Sequence, residues 1–339
     1  MLSQAERFFR LSRLLVCLFV VGCGSVPQQN QSTSTSTSNP TSQPSGPQSP
    51  WAAILVGKGP DALFMTPDSR FVYVANVEDQ TVSVIDVSKK RLVKDIRVVG
   101  NPWGFARLGE TNLIAVSNWN KGIDIIDFEK QKVVRSKQYP HHLGGIVATT
   151  KGNTLYVVST EDDQVLKVDA QSLEIQEKYK TESGPDGIGM SHDGTKIYVT
   201  NTKTGSISII NLKTKKHSSI KTGGKPELVH SNHKRTKLYI SNFTNNVVHI
   251  LDTKTDKIVH EIKGLEGPEE AVISNSEKLL YVVNFKNSKV YVYDAETYVK
   301  QEQTYLVGKD PIGIISTQDD GRLFVTNYGS NSVSIITVD

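Results

Sequence analysis

Several turns of this 339-residue chain place chemically useful side chains at equivalent points. Carboxylates follow proline in Pro60-Asp61, Pro185-Asp186, Pro226-Glu227 and Pro268-Glu269-Glu270. Converging on one point, such groups hold a cation or orient an amine, and around a metal ion they support hydrolysis. Related turns carry Pro102-Trp103, His141-His142 and Pro311-Ile312. A second set, Trp119, Phe243, Phe285 and Tyr328, follows the residue that closes an apolar run, and such rings offer faces for stacking or for cations. The candidate ligand residues are therefore Asp61, Trp103, Trp119, His142, Asp186, Glu227, Phe243, Glu269, Glu270, Phe285 and Tyr328.

Motifs for common catalysis do not appear. The histidines, at 141, 142, 192, 217, 230, 233, 249 and 260, form no HExxH and no zinc-type cluster, and no CxxCH marks a haem. GxSxG, Walker and strand-to-helix GxGxxG patterns are missing too. No catalytic residue and no cofactor is assigned, and whether a metal sits at the axis is left open. His230 and His233 lie near an A–B hairpin, where they could form a weak metal pair but read more readily as solvated turn residues, and Gly144-Gly145 and Gly223-Gly224 read as turn glycines.

The elements that must position these residues repeat. Tyr73-Val74-Ala75-Asn76 precedes Val82-Ser83-Val84-Ile85-Asp86, Tyr198-Val199-Thr200-Asn201 precedes Ile207-Ser208-Ile209-Ile210-Asn211, and the same plan recurs throughout. Equivalent positions 76, 118, 160, 201, 242, 284 and 327 lie 42, 42, 41, 41, 42 and 43 residues apart, a blade-sized period. Each unit offers four short β-branched and aromatic runs divided by turns, and no window sustains a helical period. The expected fold is all-β, a seven-bladed propeller with four-stranded blades. Tyr198-Val199-Thr200-Asn201 and Phe324-Val325-Thr326-Asn327 carry the motif for which the YVTN β-propeller repeat family is named, and residues 51–339 resemble that family throughout. The resemblance implies fold, not activity.

The last unit stops at Asp339 one strand short, while Ala52-Ala53-Ile54-Leu55-Val56 resembles an outer strand, so the first strand is expected to complete the last blade. With strands lettered A to D from the axis outward, antiparallel order puts the D–A connections and B–C hairpins on one side. All the candidate residues fall there. Lys89, Lys90, Arg91, Lys130, Lys132, Lys213, Lys215, Lys216, Lys254 and Lys257 fall on the other, from which the preceding chain should emerge.

Residues 1–22 show Arg7, Arg10 and Arg13 ahead of an apolar Leu14–Val21, too short to cross a bilayer, which reads as a secretory signal. Val20-Val21-Gly22-Cys23 resembles the bacterial lipobox, which implies cleavage before Cys23 and a lipid on its thiol. The absence of aspartate after Cys23 then implies the outer membrane in a diderm host. Residues 24–50 are uncharged and nearly without apolar side chains, a flexible linker whose coil spans roughly 30 Å. Loss of three arginines and Glu6 leaves 36 basic against 34 acidic residues, too small an excess for a polyanion binder. Basic and aromatic groups also fall on opposite sides, which disfavours nucleic acid. The expectation is a monomeric, lipid-anchored propeller that binds a protein, peptide or glycan without catalysis. The alternative is a cation-dependent, lactonase-like hydrolase at the channel mouth.

Overall fold

The structure, a computed structural model, describes residues 52–120 and 122–338. The expectations for residues 1–22, for residues 23–50 and for lipidation of Cys23 lie outside them. The described residues form seven four-stranded antiparallel sheets, and each is one blade. Blade 1 shows the plan, with strand A at Pro60–Met65, B at Phe71–Asn76, C at Thr81–Asp86 and D at Arg91–Arg97. Every A strand touches the A strands on either side, and that of blade 7 (Pro311–Ser316) touches that of blade 1, so the ring is closed.

Closure uses the two ends of the propeller sequence, as expected. Ala52–Leu55 pairs with Ser332–Thr337, Ile54 opposite Val333, and supplies strand D of blade 7. The four-residue strand is shorter than its counterparts, yet its Ile54 is buried against Val72, Val74, Phe324 and Val333. Its antiparallel pairing makes it start at the C–D side.

Strands B and C lie between neighbours on both edges and both faces, and their apolar runs are buried almost without interruption. Strand D alternates toward solvent, as in Lys132–Gln138, because one of its edges and one face are free. The C–D turns are pinned by the acid or amide that ends strand C. Asp127 accepts from the amides of Glu129 and Lys130 at 3.1 and 2.9 Å, and Asn211 repeats the arrangement.

One period needs correction. Ser159, not Thr160, pairs with Gln164 as Asn76 pairs with Thr81, so the equivalent positions are separated by 42, 41, 42, 41, 42 and 43 residues. In blade 3 the apolar run was one residue shorter than it reads, because Thr160 already belongs to the B–C turn. Gly144 and Gly145 likewise lie in strand A of blade 3 (Leu143–Ala148), whereas Gly223 and Gly224, at φ of 65° and 58°, are turn glycines.

The YVTN-type motif divides its work among its side chains. The tyrosines reach into the next blade: Tyr73 Oη donates to Phe128 O at 2.7 Å, and Tyr198 Oη to Thr253 O at 3.0 Å. The threonine joins neighbouring A strands. Thr200 Oγ1 accepts from Gly187 N at 2.8 Å and donates to Glu227 O of blade 5. Thr326 does the same between Gly313 N and Asp61 O, at 2.8 and 2.7 Å, and Ser117 between Gly104 N and Gly144 O. Close approach at this clasp demands glycine. A Cβ on Gly187 would lie 2.3 Å from Glu227 O, and one on Gly313 2.5 Å from Asp61 O. The asparagine ties the D–A loop to strand B, with Asn242 accepting from Lys225 N at 2.9 Å and donating to Gly223 O at 2.8 Å.

Candidate functional site

The clasp holds the carbonyls of Asp61, Gly144 and Glu227, the second residues of strand A in blades 1, 3 and 5, and the second residue of every strand A stands at the same D–A mouth, so the residue type there sets the chemistry of that mouth. Those residues are Asp61, Trp103, Gly144, Asp186, Glu227, Glu269 and Ile312 in blades 1 to 7. His142 stands two positions earlier, in the D–A loop of blade 3.

Asp61, Glu227 and Glu269 are buried, and Asp186 is half-buried. Three of these carboxylates act on one ammonium. Lys225 is ion-paired with Glu227; burial alone would push its pKa down, but Glu227, then Glu269 and Asp186, outweigh that and hold it above the usual lysine range. Lys225 sits immediately before Pro226, where the other blades place glycine, asparagine, histidine or aspartate. Sequence reasoning passed over it, although aligning the repeats on their prolines would have singled it out.

Aromatic groups flank this cluster. Trp103 and Trp119 stand with centroids 5.2 Å apart at 35°, and Trp119 and His142 5.4 Å apart at 37°. His142 Nδ1 lies 2.6 Å from Glu161 and His141 Nδ1 2.7 Å from Asp162, so both rings are oriented by carboxylates of the B–C turn. Trp119 is only 7% exposed, which leaves Trp103 and His142 as the accessible part of the stack. Across the mouth, Phe243 and Phe285 meet edge to face at 5.8 Å, and the Lys286 ammonium lies 5.1 Å from the Phe243 centroid.

Two candidate residues stand apart. Tyr328 donates to Glu78 at 2.6 Å and so links blade 7 to blade 1. Glu270, one residue beyond the mouth, points into the channel. Its Oε2 accepts from Ile314 N of blade 7 at 2.7 Å, and its Oε1 lies 3.9 Å from His230 Nδ1. Burial, reinforced by the charge of Asp61, pushes Glu270 up to about 7, and burial, reinforced by His233, pushes His230 down to about 4. The channel leaves 21% and 36% of these side chains reachable by solvent, yet protein packed closely all round sets their charge balance. The structure thus moves His230 out of the solvated hairpin and into the wall of the channel, on strand A of blade 5 (Pro226–Ser231). His233 stays in the exposed A–B turn.

A closed ring of seven four-stranded blades defines a β-propeller repeat protein. The chain belongs to the YNCE-like beta-propeller family, whose model matches residues 49–322. It is 26% identical over 153 residues to Antigen Lp49 of Leptospira interrogans, covering 43% of this chain and 34% of that protein. The chain thus spans about a third of the length of that curated relative. Among solved structures it is similar to hydrazine synthase of Kuenenia stuttgartiensis, with a TM-score of 0.73 and 17% identity over 83% of this chain and 96% of that one. It is equally similar, at a TM-score of 0.73 and 14% identity over 85% and 98%, to the β-propeller domain of Cps50 (Swd1) from Myceliophteria thermophila. At these identities the likeness is one of fold.

Proposed function

We propose that this chain is a non-enzymatic binding lipoprotein of a bacterial cell envelope, anchored through Cys23, whose D–A mouth takes a basic, aromatic-bearing segment of a protein partner. The observation that carries the reading is the juxtaposition at one mouth of accessible ring faces, Trp103 and His142, with carboxylates that already draw in an ammonium, Lys225. Such a mouth stabilises a cation while stacking a flat group beside it. Strand D of blade 7 begins on the C–D side, which directs the lysines there, among them Lys213, Lys216 and Lys254, toward anionic lipid at about 1 kcal/mol each.

Panning a random peptide display library against the mature protein tests the reading. Enriched peptides should carry Arg or Lys beside aromatic residues, and should lose binding to Trp103→Ala and to Asp186→Asn. Enrichment that survives both changes overturns it. Charge reversal of Asp61, Glu227 or Glu269 is the wrong probe, because these side chains are buried and would unfold the mouth. Anchoring is read separately: Cys23→Ser should shift the protein from the membrane to the soluble fraction.

A further inference from the structure

The far end of the channel carries a different chemistry. A cavity of about 220 Å³ opens at the A–B mouth among blades 5, 6, 7 and 1, and His230 and His233 both line it. One imidazole is held by a hydrogen bond on one nitrogen, and the other faces an acid. His230 directs Nδ1 at the Glu270 carboxylate, 3.9 Å away, and Glu270 is itself fixed by Ile314 N at 2.7 Å. His233 places Nε2 3.0 Å from Asn275 O, and its backbone N–H is held by Glu277 at 2.9 Å.

A carbonyl on Nε2 makes that nitrogen the N–H of His233 and leaves the lone pair on Nδ1; Glu270 stands on the Nδ1 side of His230, 3.9 Å away and beyond hydrogen-bond reach, so Nε2 is the nitrogen turned away from it. Imidazoles that bind metals are oriented in this way, by a carboxylate or carbonyl on the nitrogen that does not ligate. The turn contact of His233 on its own is a repeat feature, since His192 reaches Lys234 O at 2.6 Å and Asn275 Nδ2 reaches Thr317 O at 2.7 Å in neighbouring blades. What is not repeated is the second imidazole. Three residues before His192 stands Gly189, and three before Asn275 stands Val272. At the matching place blade 6 carries Glu270 and Val283, where blades 4 and 7 have the glycine and threonine of the clasp.

We infer that the A–B mouth binds one borderline divalent transition-metal ion, of the Zn²⁺, Ni²⁺ or Cu²⁺ class, through His230 Nε2 and His233 Nδ1, with Glu270 as the positioning residue behind His230. Imidazole suits these ions. No third His, Cys, Asp or Glu joins the pair among the described residues, so water and the neutral oxygens of the wall, such as those of Ser69 and Gln318, complete the shell. Binding is therefore exchangeable, as for an ion that is sensed or carried, and it is independent of the ligand at the D–A mouth.

The test is titration of the untagged mature protein with CuCl₂, followed by electron paramagnetic resonance, and with ZnCl₂, followed by calorimetry. One ion per chain with hyperfine splitting from two nitrogens is expected, abolished by His230→Gln and by His233→Ala and retained in His217→Ala. Glu270→Gln should weaken binding about tenfold while leaving the two-nitrogen signature. Melting without metal keeps the reading clear of unfolding, and His230→Asn serves if His230→Gln fails to fold. Stoichiometric binding that survives the His230→Gln, His233→Ala double variant overturns the inference, as does a wild-type protein that binds no more ion than that variant. Loss of this site with peptide capture intact leaves the proposed function standing, and the reverse result leaves this site standing.

Discussion

The two mouths of the channel are made by the same repeat and carry opposite chemistry. At the D–A mouth, hydroxyl clasps hold the second residue of strand A, and the chain places Asp186, Glu227 and Glu269 around Lys225 there, beside the Trp103–Trp119–His142 stack. At the A–B mouth, imidazoles line a cavity and Arg235 stretches across blades, with Nη2 3.4 Å from Ala148 O and Nη1 3.5 Å from Met190 Sδ. The difference teaches that in a closed repeat the shared residues fix the backbone, while the residues that depart from the repeat, such as Lys225, Glu270 and His230, give each mouth its own chemistry.

The comparison fails altogether if the ring opens, and removal of residues 51–57 should do that. Both mouths depend on the pairing of Ala52–Leu55 with Ser332–Thr337, so melting should fall by roughly 10 °C or more. Deletion of residues 27–47 should leave it unchanged, and equal melting of the two truncations would refute closure as a source of stability. A sharper change acts on one mouth alone. Thr200→Val leaves Gly187 N and Glu227 O without their hydroxyl and should cost about 1–3 kcal/mol in urea unfolding. It should also weaken peptide capture at the D–A mouth and leave metal binding at the A–B mouth intact; equal damage at both would show that the mouths are not independent.

A smaller effect is pH-dependent and again confined to the D–A side. Hydrogen bonds from Ser206, Lys221 and Ser219 lower Glu182 to about 2, below its unfolded value. Its contribution is therefore present above the unfolded value and lost as pH falls toward 2. Glu182→Gln should cost on the order of 1 kcal/mol at pH 7, solvent screening included, and nothing near pH 2. A cost that stays constant between those limits would contradict the assignment. The smallest effect belongs to the outer turns: Lys213→Glu with Lys254→Glu should move stability by less than about 0.5 kcal/mol, yet reduce sedimentation of the protein with phosphatidylserine vesicles.

Much of this was legible in the sequence, and the reasons are local. Strand identity, blade number and ring closure follow from short-range alternation and a fixed period, which the backbone obeys whatever lies across the channel. Antiparallel order sorts the candidate residues by side, but Asp61, Trp103, Asp186, Glu227, Glu269 and Glu270, which read as turn residues, lie within strand A. Depth was not legible. Asp61, Glu227 and Glu269 read as a rim and lie buried, and at Asp61 and Glu227 the clasp draws neighbouring A strands close. Nor was the approach of Glu270 to His230, since it joins two neighbouring blades through residues 40 apart in sequence. The shift from Thr160 to Ser159 was hidden because both are small hydroxyl residues at the end of the same run.

The central claim, a binding mouth formed by D–A loops, is met most directly by hydrogen–deuterium exchange on the mature protein with and without the most enriched displayed peptide. Slowed exchange confined to residues 101–104, 141–145, 184–187 and 225–228 is the predicted result. Slowed exchange confined to the A–B turns or the outer strands would contradict it.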